Sequence, residues 1–320
     1  MLPMVAFIVA IFLVLKQPTV RIPFTTKYLR IDYGLAPFIG VLILLATQSM
    51  GLATLERSIL GGPHLKPYSI IILIMSLSYI CVSLDYTGFF EYLSLRVVRA
   101  FGTSSRRLFA SLSLLTAFLT LFTDNDIVIL TMTLIIFYVC KNARLDPIPF
   151  LFTQFFIVNI FGMALYIGNP TNIIAADAYG LSFLGFARWM FLPSLSAATS
   201  CLLLLWLMFR RRMRRKPRLP RIDPRLALRD KEGAIFGSAV LACTILLMSI
   251  STNVPLWTIT LLFAIVAFLH DLISHRCRIS SILSRVPWKI APFLAGLFIL
   301  IEGLASEGWT DLFASNLSRL

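Results

Sequence analysis

The chain is 320 residues long, 58% hydrophobic and only 14% charged, with a net charge of +14. A soluble domain carries about 25% charged residues, and several runs here approach the roughly 20 apolar residues that cross a bilayer as a helix, which excludes a water-soluble globular fold. In a soluble protein the basic surplus would suggest nucleic acid, but all 29 Lys and Arg lie between apolar runs and gather in alternate loops, the positive-inside pattern of a polytopic membrane protein.

The opening run has no basic residue ahead of it and no small-residue cleavage site, so it is read as a first membrane segment, about Leu2–Leu15, and not as a signal peptide. A second segment covers about Leu35–Leu52 and a third about Pro67–Leu84. From Tyr86 to Phe101, Phe89, Phe90, Leu93, Val97 and Val98 are interleaved with Glu91, Arg96 and Arg99. That pattern predicts an amphipathic helix at the cytoplasmic interface or a plain connecting helix.

Two apolar arms follow, Leu108–Phe122 and Ile127–Cys140, around the polar knot Thr123-Asp124-Asn125-Asp126. An arm of about 15 residues reaches roughly 22 Å, short of a hydrocarbon core about 30 Å thick. With Arg106, Arg107, Lys141 and Arg144 at the outer ends, the arms are expected to form a re-entrant hairpin entering from the cytoplasm. Two short crossings joined by an external loop have the same parity, so the charges do not decide between them. Pro149–Ile167 then runs into a second knot, Gly168-Asn169-Pro170-Thr171-Asn172, with helix expected to resume from Asn172 to about Tyr179. Polar, helix-breaking residues at membrane depth are tolerated where they line a cavity or are buried in protein, so the knots are read as half of a substrate and ion site.

A long run, about Trp189–Phe209, stops at Arg210, Arg211 and Arg212, and the linker to Lys231 holds eleven basic residues and three prolines. Three segments remain, about Gly233–Ile250, Leu256–His270 and Ile290–Leu304. Counted by side, 25 basic residues fall in one set of loops and four in the other, which puts the N-terminus outside and the basic loops in the cytoplasm. The chain therefore divides into first-repeat scaffold segments (1–107), the hairpin, broken helix and following membrane helix (108–209), a basic cytoplasmic linker (210–232) and the start of a second inverted repeat (233–320).

The repeat rests on an offset of 220 positions, at which Leu84-Asp85-Tyr86-Thr87-Gly88-Phe89-Phe90-Glu91-Tyr92-Leu93 lines up with Leu304-Ala305-Ser306-Glu307-Gly308-Trp309-Thr310-Asp311-Leu312-Phe313. Both follow an apolar segment and match Gly, an aromatic and an acid, while the charge tally gives them opposite orientations. Inverted repeats with interrupted helices are a signature of secondary transporters. The expected fold is an all-α polytopic inverted-repeat membrane protein with a re-entrant hairpin and a broken helix, its second repeat incomplete at Leu320.

Asp85–Leu93, Thr123–Thr131 and Ile167–Ile173 resemble the ion transporter superfamily, in particular arsenite-efflux permeases, sodium–proton antiporters and citrate or dicarboxylate carriers. The resemblance covers nearly the whole chain. It implies that the hairpin tip (Thr123, Asn125, Asp126) and the helix break (Gly168, Asn169, Pro170, Thr171, Asn172) hold substrate and coupling cation together. It further implies a secondary active transporter of a small anion, arsenite- or citrate-like, coupled to protons or sodium and working in the bilayer; the sequence leaves open whether it does so as a homodimer. The family normally carries a second hairpin and broken helix, and the Gly-Asn-Pro-Thr-Asn form departs from the arsenite permeases, so the substrate does not carry over. A sodium–proton antiporter and a truncated protein without autonomous transport are the alternatives.

The residue types suit that use. Gly168 lets backbone approach closely, Pro170 cannot donate a hydrogen bond, and Thr171 and Asn172 suit an N-cap as well as a ligand contact. Asp124 is a second candidate for coupling, since two carboxylates within three residues repel and one then takes up a proton. Glu302, in the last apolar segment, is either a coupling acid or an interfacial one. Asp177 reads as a helix-end charge and Asn159 as a helix–helix hydrogen bond. The five cysteines have no metal-ligand spacing and His64, His270 and His275 lie at loop edges, so no metal, cofactor, nucleic-acid partner or enzyme activity is expected.

Overall fold

In a computed structural model the chain is almost wholly helical, and the structure describes residues 2–21, 28–62, 65–123, 125–214, 217, 223–251, 253–274 and 279–317. In chain order the elements begin with α1 (Leu2–Lys16), a ribbon of β1 (Thr19–Arg21) paired antiparallel with β2 (Tyr28–Arg30), α2 (Ala36–Ala46), α3 (Leu52–Leu60), α4 (Pro67–Tyr86) and α5 (Phe89–Phe101). They continue through α6 (Ser105–Phe122), α7 (Asn125–Ala143), α8 (Ile148–Phe161), α9 (Pro170–Ala178) and α10 (Phe183–Phe209). Short 3-10 turns at Arg212–Arg214 and Pro224–Ala227 lead to α11 (Lys231–Ile250), α12 (Leu256–Ile273), α13 (Ile279–Leu283), α14 (Ile290–Ser306) and α15 (Trp309–Leu317).

Among the described residues six helices are long and apolar enough to cross a membrane: α4, α6, α7, α10, α11 and α12. The pair α14–α15, bent by 80°, adds a seventh if it is one span, and α1, α2 and α8 are shorter apolar helices. Several boundaries differ from the sequence expectation for local reasons. The second segment stops at Ala46, where Thr47 Oγ1 takes the carbonyls of Ile43 and Leu44, and α3 is a separate amphipathic helix. Helix α10 starts six residues early because Ser182 caps it through the Gly185 amide, and Asp230 caps α11 in the same way.

By contacts the chain forms two compact units, residues 1–75 with 287–320, and residues 76–286, so that α4 runs through the boundary. In the first unit, Ala6, Ala10, Val41, Leu44, Met50, Ile299 and Leu300 make the core where α14 meets α1, α2 and α3. Helices in lipid have no hydrophobic drive toward one another and associate through close packing at small residues. Gly40 and Gly296 provide it: a Cβ on Gly40 would stand 3.0 Å from the Ala6 carbonyl, and one on Gly296 2.7 Å from Pro37 Cβ. Outside the apolar helices, Lys289 Nζ meets Asp32 Oδ2 at 2.7 Å.

In the second unit α8 is the hub. It packs on α6, α7 and α10, with Ala117, Ile157, Phe161 and Ala198 buried together. Gln154, only 3% exposed, donates from Nε2 to the Ile129 carbonyl at 2.9 Å and to Thr133 Oγ1 at 3.1 Å, tying α8 to α7. Helix α5 packs on α6, α7 and the turn Pro224–Ala227 of the basic linker.

The two stretches matched at the 220-residue offset have the same backbone. Both helices stop, at Tyr86 and Ser306, and restart at Phe89 and Trp309. Between them Gly88 and Gly308 have φ of 82° and 77°, the left-handed region that glycine enters without a steric penalty. Thr87 N donates to Leu84 O, Gly88 N to Asp85 O and Tyr92 N to Gly88 O, and the equivalent bonds recur at Glu307, Gly308 and Leu312.

Candidate functional site

Helices α6 and α7 form a helical hairpin whose tip is Thr123 and its neighbours; Asp124, the coupling candidate there, lies outside the described residues. The arms are 18 and 19 residues long, about 27–29 Å, because the helices take in Ser105 to Arg107 and Lys141 to Ala143 at their outer ends and Asn125 and Asp126 at the tip. Arm length therefore does not separate a re-entrant hairpin from two crossings. Thr123 is 2% exposed, turns extended to end α6, and donates from Oγ1 to the Leu119 carbonyl at 2.7 Å. Asn125 and Asp126 open α7, and the Asp126 side chain is exposed.

The break is longer than the sequence suggests. Helix α8 ends at Phe161, and residues 162–169 form turns before α9 begins at Pro170. The cause is a partner ten residues away. Asn172 Nδ2 donates to the carbonyls of Gly162 and Leu165, both at 2.8 Å, and so supplies the donors these groups would find in a continued helix. Gly168 folds back so tightly that a Cβ there would overlap the Gly162 carbonyl. The N-cap of α9 is Asn169, not Thr171 or Asn172: its Oδ1 accepts from the Asn172 amide at 3.0 Å and from Thr171 Oγ1. Pro170 takes the first helical position, where its missing N–H costs no hydrogen bond.

Tip and break meet. The Asn125 amide lies over Gly162, where a Cβ would stand 2.8 Å from Asn125 Oδ1 and 2.9 Å from Nδ2. Oδ1 is buried and accepts no hydrogen bond among the described residues. A buried amide oxygen without a donor is costly, by about 1–3 kcal/mol, and is an apt ligand for a hard cation. Beside it, the first turn of α9 directs the positive end of its backbone dipole into the break. The geometry thus sets an unpaired oxygen and a helix N-terminus side by side, one suited to a cation and the other to an anion.

Of the predicted residues, Thr123, Asn125, Gly168, Asn169, Pro170 and Asn172 gather at this junction, with Thr171 and Asp126 on its exposed side. Glu302 is half-buried on α14, in the first unit. Asp177 is not a bare helix-end charge, because Tyr166 Oη donates to its Oδ1 at 2.6 Å and pins α9 to the break. Asn159 bonds its own helix, from Nδ2 to Phe155 O at 2.7 Å, and is exposed. Gly162 and Gln154 went unrecognised in the sequence. A glycine inside an apolar helical run was the available signal for the first.

The family model described as "Citrate transporter" matches residues 1–320. An arsenical pump membrane protein of Escherichia coli is 28% identical over 249 residues, covering 75% of this chain and 58% of that protein. An uncharacterized transporter of Mycobacterium tuberculosis is 27% identical over 259 residues, covering 79% and 59%. A 46 kDa membrane protein of Mycobacterium leprae is 27% identical over 242 residues, covering 74% and 56%. The chain thus spans a little over half the length of the curated relatives it matches.

Proposed function

Because this chain belongs to the citrate transporter family, we propose that it is a secondary active transporter of a small anion and not an enzyme, with its substrate and coupling cation bound where the hairpin tip meets the helix break. The relatives named for arsenical pumping extend the substrate class to inorganic oxyanions as well as citrate-like carboxylates. The observation that carries the reading is Asn125 Oδ1, a buried acceptor over Gly162 that has no hydrogen-bond partner among the described residues. In this reading Asn125 Oδ1 and Thr123 offer oxygen to the cation, sodium or the proton's carrier water, while Asn169, Thr171 and the first turn of α9 face the anion. Asn172 shapes the break without touching cargo, since its amide is committed to two carbonyls. Asp126, on the exposed side, gives the anion-loaded site a titratable neighbour. The second unit would carry the site, and the chain would work in the bilayer as a homodimer.

The test is uptake and efflux in vesicles under imposed proton and sodium gradients, with arsenite, antimonite, citrate and dicarboxylates. Asn125→Ala should raise the half-saturating cation concentration about tenfold, the loss of roughly 1.4 kcal/mol, with Asp126→Asn altering its pH dependence. Asn172→Ala leaves two carbonyls without donors and should lower the rate for every substrate alike. Wild-type protein that moves none of these solutes faster than empty vesicles would sink the transport reading.

A further inference from the structure

Helix α5 and the linker turn that packs on it enclose a cavity of about 430 Å³. Its polar lining is Tyr92, Arg96 and Arg99 of α5 with Asp223 and Arg225 of the linker. Positions 92, 96 and 99 fall on one stripe of a helix, and Arg96 Nη1 donates to Tyr92 Oη at 3.3 Å. Asp223 caps the linker turn, its Oδ1 accepting from the Arg225 backbone amide at 3.1 Å. The lining thus holds three guanidinium groups and one carboxylate, an excess of two positive charges. Other arginines of this unit have acids: Arg212 meets Asp146 at 3.0 Å, Arg285 meets Asp85 at 3.5 Å and Arg229 meets Glu91 at 3.6 Å. Among the described residues no carboxylate pairs with Arg96, Arg99 or Arg225. What brings these like charges together is backbone. The Arg229 and Asp230 amides donate to the Thr87 carbonyl at 2.9 and 3.3 Å, and the Ala227 carbonyl fills the space beside Gly88. Like charges on adjacent helical turns repel, so the fold gathers three guanidiniums and gives them no anion of its own.

We propose that this cavity is a binding site for a phosphate group, which bridges α5 and the basic linker. A guanidinium presents a planar fork of donors that matches two phosphate oxygens. A phosphate monoester carries about −1.5 to −2 charge at neutral pH, which balances the excess of two. The Tyr92 hydroxyl accepts from Arg96 and keeps its own hydrogen for a further phosphate oxygen. The volume falls within the roughly 300–1,000 Å³ of small-molecule sites, which leaves room for the organic part of an ester. Two sources share this chemistry, the headgroup of an anionic phospholipid such as phosphatidic acid and a soluble phosphate. Either one ties Arg96 and Arg99 to Arg225, and so holds the linker against the turn between α4 and α5. A ligand that binds only the seated linker stabilises the seat by mass action, and the site therefore reports phosphate to the start of α5. It shares no residue with the tip and the break and does not rest on the transport reading.

The test uses the full chain in lipid nanodiscs, where both membrane faces are open to solvent, and reads the rate at which trypsin cuts between residues 210 and 232. Phosphatidylcholine discs are compared with discs containing phosphatidic acid and with phosphatidylcholine discs given inorganic phosphate. Phosphate in the cavity should slow cleavage of wild type several-fold. The double variant Arg96→Gln/Arg99→Gln, whose linker keeps every trypsin site, should be cut at the phosphatidylcholine rate throughout. Arg225→Lys keeps the charge and the cleavage site but not the fork, and should need several-fold more phosphate for the same protection. It also guards against a folding defect in the double variant. Protection by phosphatidic acid alone identifies a lipid headgroup, protection by inorganic phosphate alone a soluble ligand, and protection by both a site that reads the phosphate itself. Equal cleavage of wild type in all three conditions, or equal protection of wild type and the double variant, overturns the proposal.

Discussion

One side chain can hold a backbone break open, and Asn172 does so by giving both amide hydrogens to carbonyls seven and ten residues behind it. The two knots were legible in the sequence because each puts polar residues into an apolar run, where they must be buried against protein. The start of the break at Gly162 was not, because it depends on an amide ten residues later that only the folded chain brings back. The buried acid Asp271 was hidden for the same reason: its donors Tyr79 and Ser83 come from nearly two hundred residues away. At the other kind of residue, Asp32 is outside the membrane helices, and the Lys289 ammonium on its Oδ2, with the Leu35 and Gly34 amides on Oδ1, holds its carboxyl below the usual carboxylate range. A lowered folded value means the stabilisation is present above the unfolded value near 3.8 and disappears as pH falls through the folded one. Lys289 is more than half exposed, so the pair contributes no more than about 1 kcal/mol. Thermal unfolding in detergent should find Lys289→Met slightly less stable than wild type at neutral pH and equal to it at strongly acid pH. A gap that persists in acid would mean that packing of the lysine stem, and not charge, is what the substitution removes.

At the scale of elements, the repeated turn is the clearest case of backbone preserved while side chains differ. Only the glycine is common to Thr87-Gly88 and Glu307-Gly308, yet helix ends, torsions and hydrogen bonds coincide. The structure also separates the copies. A Cβ on Gly88 would overlap the Ala227 carbonyl of the basic linker, whose Arg229 and Asp230 amides donate to the Thr87 carbonyl at 2.9 and 3.3 Å, while a Cβ on Gly308 meets nothing within 4 Å. Placing a side chain in the left-handed region costs about 1–2 kcal/mol, and this should be the whole effect of Gly308→Ala on unfolding in detergent. Gly88→Ala should cost more and also release the linker, so limited trypsin digestion should cut between residues 210 and 232 faster than in wild type. Equal losses and equal digestion rates for the two variants would refute the linker's seat on this turn. The sequence marked the glycine and the linker separately; that one rests on the other lies beyond any local pattern.

Across the whole molecule, the distribution of basic residues predicts how the chain sits in a membrane. With 25 of 29 Lys and Arg on one set of loops, those loops should face the cytoplasm. Single cysteines introduced as Arg57→Cys and Arg225→Cys in an otherwise cysteine-free chain should react with an impermeant maleimide from opposite faces of right-side-out vesicles, position 57 from outside and position 225 after lysis alone. Labelling of both from one side would reverse or break the assigned topology. The same charges bracket α10, whose 21 charge-free residues from Trp189 to Phe209 lie between Arg188 and the arginines that begin at Arg210. That length is about 32 Å, close to the hydrocarbon thickness of an ordinary bilayer, and neither end can slide inward without burying a guanidinium. Helix α10 is thus long enough to span an ordinary bilayer, and its bracketing charges predict how it responds to thickness: lipids with shorter tails should make it lean, and longer ones should thin around it.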